Sequence, residues 1–211
     1  MPKPLKPLLE PRKSPVQARS SASVQAIREA AVQVLLKEGK ERLTTRRIAD
    51  RAGVSVGTLY QYFPNKGALL QAVLRDHLDG VAEALRRSCE EWKGATLDQM
   101  ANGLVEGFMK AKLRHVETSR ALYFISDDVG GAAIARQNAV RNVSALASLL
   151  ESAPQKLIER PEIVASMVLA TMAGVSRQML ETGLGNGELE AMQQGLKTMV
   201  RAYLQAVTRI A

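Results

Sequence analysis

Helix-boundary signals crowd together between residues 44 and 65 of this chain. Thr44 can accept a hydrogen bond from a following first turn, so it reads as the cap of a short helix holding Ile48, Ala49 and Ala52. Gly53 supplies the left-handed residue that ends that helix, and Ser55 caps the next. Pro64 stops this third segment after Phe63, and Asn65 caps a fourth. A helix as short as residues 56–63 does not hold in water by itself, so Leu59 and Phe63 must pack against the helices before it. Two short helices about a tight glycine turn make a helix-turn-helix.

The rest of the chain is also helical in pattern. Val24, Ile27, Ala31, Val34 and Leu35 recur at spacings of three and four, with Gly39 placed to terminate a first helix. A long fourth helix over residues 67–92 carries Leu69, Leu70, Val73, Leu74, Leu78, Val81 and Leu85 on one side. Further helices are expected over 96–115, 118–128, 131–151, 161–182 and 188–210, with 183–187 as the turn between the last two. Alternating Val, Ile and Thr runs are absent, so no strand competes.

At 211 residues, 46% hydrophobic and 24% charged, the composition is that of a folding globular chain and excludes a disordered one. Charge is unevenly placed. Residues 1–75 hold 14 Lys or Arg against 5 Asp or Glu, while residues 76–211 hold 15 against 16. A basic head on a near-neutral body suits a module that displaces counterions from phosphates. Five prolines and five basic side chains in residues 1–22 read as an extended basic arm, able either to reach along DNA or only to solubilise. No run approaches the roughly 18 apolar residues of a membrane span, and no signal-peptide pattern follows Lys3 and Lys6. A cytoplasmic location with no membrane partner is expected. Cys89 stands alone and reads as a packed residue.

Residues 43–70 resemble the DNA-binding region of the TetR (tetracycline-repressor-like) family. The resemblance lies in Thr44-Thr45, Ile48-Ala49, Ala52-Gly53-Val54-Ser55, Gly57-Thr58-Leu59-Tyr60, Tyr62-Phe63, Asn65-Lys66 and Leu69-Leu70. Gly67 departs from the acidic or longer residue common there, and it weakens the first turn of the fourth helix in principle. The resemblance implies an all-α fold. An N-terminal three-helix helix-turn-helix DNA-binding domain (23–68) follows the arm (1–22), and a C-terminal helical ligand-binding and dimerisation domain (69–211) completes the chain.

It also implies that the third helix enters the major groove, so Ser55, Val56, Gly57, Thr58, Tyr60, Gln61 and Tyr62 become DNA-binding candidates. Gly57 permits close approach, Thr58 and Gln61 can bond base edges or phosphates, and Val56 suits a thymine methyl. Tyr60 serves the core or the DNA equally well on sequence alone, whereas Tyr62 favours DNA. Thr45 and Arg46 open the second helix against phosphate or a guanine edge, and Lys66 joins the amino-terminal amides of the fourth helix in holding a phosphate. For Arg47 or Arg51 mere solvation is the alternative to a DNA contact.

Behind the head no motif is as sharp. Ile163, Met167, Ala170, Val175 and Met179 on one late helix, and Leu189, Met192, Leu196, Met199, Val200, Tyr203, Leu204 and Val207 on the last, form broad apolar faces. The resemblance implies that these helices pair with a second copy as a homodimer reading a palindromic double-stranded operator; packing within one subunit is the alternative. Met100, Leu104, Phe108, Tyr123, Phe124 and Met172, with Ile134, either line an effector pocket or simply form core. Asn102, Gln137, Asn138 and Gln178 are the accompanying polar candidates.

An enzyme is the rival class, but His77 and His115 are the only imidazoles, and no nucleophile elbow, phosphate loop, zinc spacing or cofactor motif is present. A sequence-indifferent DNA-packaging or membrane-surface protein is the second rival. The expected function is therefore a sequence-specific repressor released from its operator by a small-molecule ligand, with no cofactor.

Overall fold

The computed structural model describes residues 18–209. The arm residues Arg12 and Lys13 and the side chain of Arg19 lie outside the described residues. Nine α-helices and a single 3₁₀ turn make up the regular structure among the described residues. They are α1 (Ala18–Glu38), α2 (Thr45–Ala52), α3 (Val56–Tyr62), α4 (Lys66–Glu91), α5 (Leu97–Leu113), α6 (Val116–Ile125), α7 (Gly131–Glu151), α8 (Pro161–Thr182) and α9 (Asn186–Ala206), with the turn at Asp127–Val129 after α6. The described residues contain no strand; an isolated antiparallel bridge joins Leu157 and Thr208. The all-α expectation is met.

Element boundaries differ from expectation at several places, and the helix expected over 118–128 divides into α6 and the 3₁₀ turn. Helix α1 starts at Ala18, ahead of the apolar periodicity that begins at Val24, so residues 18–22 are helical rather than extended. The turn before α9 is shorter than 183–187. Glu188 reaches back to accept the Gly185 amide at 3.0 Å, which makes Glu188 the third residue of the helix rather than its first. At the far end α9 stops at Ala206, and the Ile158 amide captures the Val207 carbonyl at 2.7 Å instead of leaving it to another helical turn.

Residues 18–77 and 121–134 form one compact unit. Its core buries Ile27, Ala31 and Val34 of α1, Leu43, Ile48 of α2, Leu59 of α3, Phe63 and Leu69. Helix α2 packs on α1 and on α3. Arg28 pairs with Asp76 at 2.8 Å, Lys40 with Asp128 at 2.5 Å, and Gln71 Nε2 donates to the Val129 carbonyl at 3.0 Å. These polar links tie α1, its following turn and α4 to the 3₁₀ turn.

Residues 78–120 and 135–209 form the second unit. Helix α5 packs against α9 and α8, and α8 against α9. Thr96 and Gln99 close a reciprocal cap at the start of α5, fixing where it begins. Leu97, Met100, Leu104 and Met109 of α5 meet Val164, Val168 and Met172 of α8 and Leu196, Val200 and Leu204 of α9 in one apolar cluster. Arg201 to Asp98 at 2.8 Å and Lys197 to Glu106 at 3.4 Å link α9 to α5 at the surface. Burial pushes the Cys89 thiol up to about 11, so this cysteine is a protonated core residue.

Helix α8 contains no unbroken apolar run of membrane-spanning length, since Ser166, Thr171 and Ser176 interrupt it. Even so, it is long and apolar enough to cross a membrane by length and composition, and 39% of its most apolar stretch is buried. One side of it covers α5 and α9, and the other presents Ile163 (47% exposed) and Met167 (51%), so apolar residues occur on both.

Gly103 of α5 faces the indole of Trp92, where a Cβ would stand 2.0 Å from Nε1. Gly103→Ala must displace that half-buried ring, and we expect a loss of about 1–3 kcal/mol in unfolding free energy. Trp92 is the only tryptophan in the chain, so urea unfolding followed by its fluorescence measures both the loss and the shift of the ring; an unchanged midpoint and spectrum contradict this packing.

Candidate nucleic-acid interface

The helix-turn-helix is assembled from local signals that act within a few residues of one another. Thr44 is extended (φ −120°) and its Oγ1 accepts the Arg47 amide, while Ser55 Oγ accepts the Thr58 amide at 2.9 Å. Between these caps Gly53 adopts φ 68°, and the Val54 amide returns to the Ala49 carbonyl at 3.0 Å. That left-handed residue reverses the chain within one position. Leu59 and Phe63 are fully buried and hold α3 in place.

The opposite side of α3 is open. Ser55, Gly57 and Gln61 are exposed, and Val56, Thr58 and Tyr62 are half-buried. A Cβ at Gly57 would meet nothing closer than Ser55 Oγ at 3.6 Å, so packing within the protein does not require glycine there. Tyr60 lies on the surface, 41% exposed, with its hydroxyl 3.2 Å from Thr45 Oγ1. This contact pins the start of α2 to the middle of α3. Tyr62 is the more buried of the two tyrosines.

Cations around this surface fall into two groups. Arg47 is ion-paired with Glu38, and Arg51 donates to Gln33 Oε1 at 2.6 Å, so both fasten α2 to α1. Arg46 and Lys66 are exposed and form no side-chain hydrogen bond or ion pair among the described residues. Lys66 is the first residue of α4, whose end is capped by Asn65 Oδ1 accepting the Ala68 amide at 2.8 Å. Gly67 is helical in that turn, so the cap compensates the departure from the family pattern.

In the second unit a cavity of about 460 Å³ opens between α4, α5, α7 and α8. Of the six expected pocket residues only Phe108 lines it. Met100, Leu104 and Met172 are wholly buried in the apolar cluster, because their side of α5 and α8 faces other helices rather than a void. Tyr123 and Phe124 belong to the first unit, stacked edge-on at 6.4 Å, with Phe124 63% exposed; Ile134 is buried there too. Among the polar candidates Asn138 lines the cavity and donates to Asp79 Oδ1 at 2.8 Å, whereas Asn102, Gln137 and Gln178 do not line it.

The sequence reading missed Leu78, Val81, Lys112, Asn142, Val143 and Leu169 in this wall. A signal for Lys112 was present: Met100, Leu104, Phe108 and Lys112 follow at strict intervals of four, which sets a lysine in phase with the apolar stripe. Burial pulls the Lys112 ammonium below its ordinary pKa of 10.5. Its side chain has no hydrogen-bond or ion-pair partner among the described residues.

A small basic helix-turn-helix joined to an all-α unit defines a helix-turn-helix regulator by fold. Residues 27–73 match the family model for bacterial regulatory proteins of the tetR family, and residues 96–204 match that for the tetracyclin repressor-like C-terminal domain. The chain belongs to the TetR family, a family of regulators rather than of enzymes. It is 35% identical over 96 residues to the HTH-type transcriptional repressor KstR of Mycobacterium tuberculosis, covering 46% of this chain and 43% of that protein. The chain spans only about a quarter to three fifths of the length of the curated relatives it matches first, from 27% to 57%. A solved TetR-family regulator from Mesorhizobium loti superposes with TM-score 0.71 at 18% identity, covering 92% of this chain and 100% of that one. SmeT, the repressor of the Stenotrophomonas maltophilia multidrug efflux pump SmeDEF, does so with TM-score 0.66 at 20% identity, covering 88% and 90%.

Because burial lowers the Lys112 pKa, the charged form costs stability at every pH below the lowered value, and the cost is relieved as pH rises from there towards 10.5. Lys112→Met should therefore raise the melting temperature at pH 7, with a gain that shrinks in alkaline buffer. Melting curves across that range test this; a variant less stable than the parent at pH 7 contradicts it.

Proposed function

We propose that this protein is a sequence-specific DNA-binding transcriptional repressor that acts as a homodimer in the bacterial cytoplasm and leaves its operator when an effector binds. The observation that carries the reading is the split of α3: Leu59 and Phe63 are buried, while Gly57, Tyr60 and Gln61 stay outside on a capped, rigid support. Such a face fits a major groove, with Gln61 and Thr58 offering donors and acceptors to base edges and Gly57 admitting the backbone closely. Arg46 and Lys66 have no side-chain partner among the described residues and suit phosphate oxygens on either side. Ser55, Val56, Thr45 and Tyr62 complete the proposed interface. We assign residues 23–68 to DNA binding and 69–211 to effector binding and dimerisation. KstR, 35% identical over 96 residues, is named as a repressor and supports this reading.

The homodimer is supported by the outer sides of α8 and α9, where Ile163, Met167 and Met199 (56% exposed) remain open although Met179, Leu196 and Leu204 of the same helices are buried. Two-fold pairing there covers them and gives two heads spaced by one DNA turn of ~34 Å or a simple multiple. The effector must bind more tightly to the arrangement that misfits the operator, since equal affinity shifts nothing.

Operator fragments selected from random DNA provide the test. Arg46→Ala and Lys66→Ala should each weaken binding to all sequences and lower the slope of log affinity against log salt by about 1, with unfolding free energy unchanged within about 0.5 kcal/mol. Equal affinity for selected and random DNA at physiological salt would falsify the regulator reading. In sedimentation, Met167→Asp together with Met199→Asp should turn a dimer into a folded monomer; a dimer that survives both changes places the interface elsewhere.

A further inference from the structure

The cavity between α4, α5, α7 and α8 is apolar over most of its wall, with Val81, Phe108, Val143 and Leu169 among its lining residues. Its volume of about 460 Å³ lies in the range of small-molecule sites. Among the described residues one ionisable side chain lines it, Lys112, and no carboxylate stands in the wall to neutralise it. Phe108 and Lys112 are four residues apart on α5, so ring and ammonium share one helix face. Asn142 also lines the cavity and accepts from Arg86 Nη1 at 3.4 Å through its Oδ1, which leaves its amide hydrogens free to donate. Asn138 is held by Asp79 at 2.8 Å and is thereby fixed in the wall.

From this arrangement we infer that the cavity binds an amphipathic organic monocarboxylate, its head against Lys112 and Asn142 and its hydrocarbon body against Phe108, Val81 and Leu169. The inference rests on the reading of this unit as effector-binding and names the effector's chemical class. A single cation in an apolar wall is balanced by a single negative charge; a dianion would leave one charge unpaired, and a neutral ligand would leave the lysine unpaired. The charge-assisted bond fixes the head, and the apolar wall rewards chain length. Burial lowers the lysine pKa in the free protein, and a bound carboxylate draws it back up.

The experiment is calorimetric titration of the full chain with octanoate, decanoate and dodecanoate, each compared with the primary alcohol and alkylamine of equal length. We expect the acids to bind, with affinity rising about fourfold per added methylene until the cavity is full, and the alcohols and amines to bind at least tenfold more weakly. Lys112→Met should abolish the preference for acid over alcohol while the protein stays folded, and Ala139→Phe, which fills the cavity from α7, should weaken acid and alcohol alike. Equal affinity for acid and alcohol in the parent, or an undiminished acid preference in Lys112→Met, overturns the inference, as does absence of binding by every acid. Binding of operator DNA is scored separately. If DNA binds and no acid does, the carboxylate assignment fails alone; if acids bind as expected and no DNA sequence is preferred, the regulator reading fails and the ligand class stands.

Discussion

A seven-residue helix has almost no stability of its own, and α3 exists because its inner side is welded into the first unit. Burying Leu59 and Phe63 contributes roughly 1.5–3 kcal/mol each, while the Ser55 cap adds about 1 kcal/mol. Side-chain burial therefore outweighs capping, and the core of α1 and α2 decides whether a recognition surface forms at all. The same division leaves the outer positions of α3 free of any folding duty. Gly57 and Gln61 are available for binding because Leu59 and Phe63 do the structural work.

Net charge alone overstates how many cations the head can offer to DNA. Arg28, Lys40, Arg47 and Arg51 are each engaged within the unit, with Asp76, Asp128, Glu38 and Gln33. They hold α1, α2 and the 3₁₀ turn in register. Arg46 precedes Arg47 by one position on α2, and one residue on a helix turns the side chain by about 100°, enough to send one arginine to α1 and its neighbour to solvent. Adjacent arginines thus divide between scaffold and interface, and the interface share is smaller than the composition suggests.

How much of this was legible in the sequence depended on the range of the interaction. Thr44, Gly53, Ser55 and Asn65 act through hydrogen bonds or φ preferences within about four residues, and all of them occupy the roles that local chemistry assigns. The limits of α7 and α8 were readable for the same reason. The cavity between α4, α5, α7 and α8 was not. An apolar face on α5 fits equally a helix neighbour or a void, and periodicity carries no information on which one is opposite. Met100 and Leu104 met α8 and α9, whereas Phe108 and Lys112, one and two turns further along the same face, met open space. Whether Tyr60 lay inside or outside was likewise decided by the tertiary placing of Thr45, fifteen residues away in sequence.

The stripe on α5 also shows why a lysine in such a place calls for a role beyond folding. A leucine or methionine at residue 112 would extend the run through Met100, Leu104 and Phe108 and remove a half-buried charge from the unit. The fold alone gives no reason to keep the ammonium, since no carboxylate in the cavity wall answers it. Binding groups are commonly retained at some cost to stability where a ligand uses them. Helix α4 starts with the exposed Lys66 in the head and supplies Leu78, Val81 and Ala82 to the cavity wall, so one continuous helix carries residues of both proposed sites.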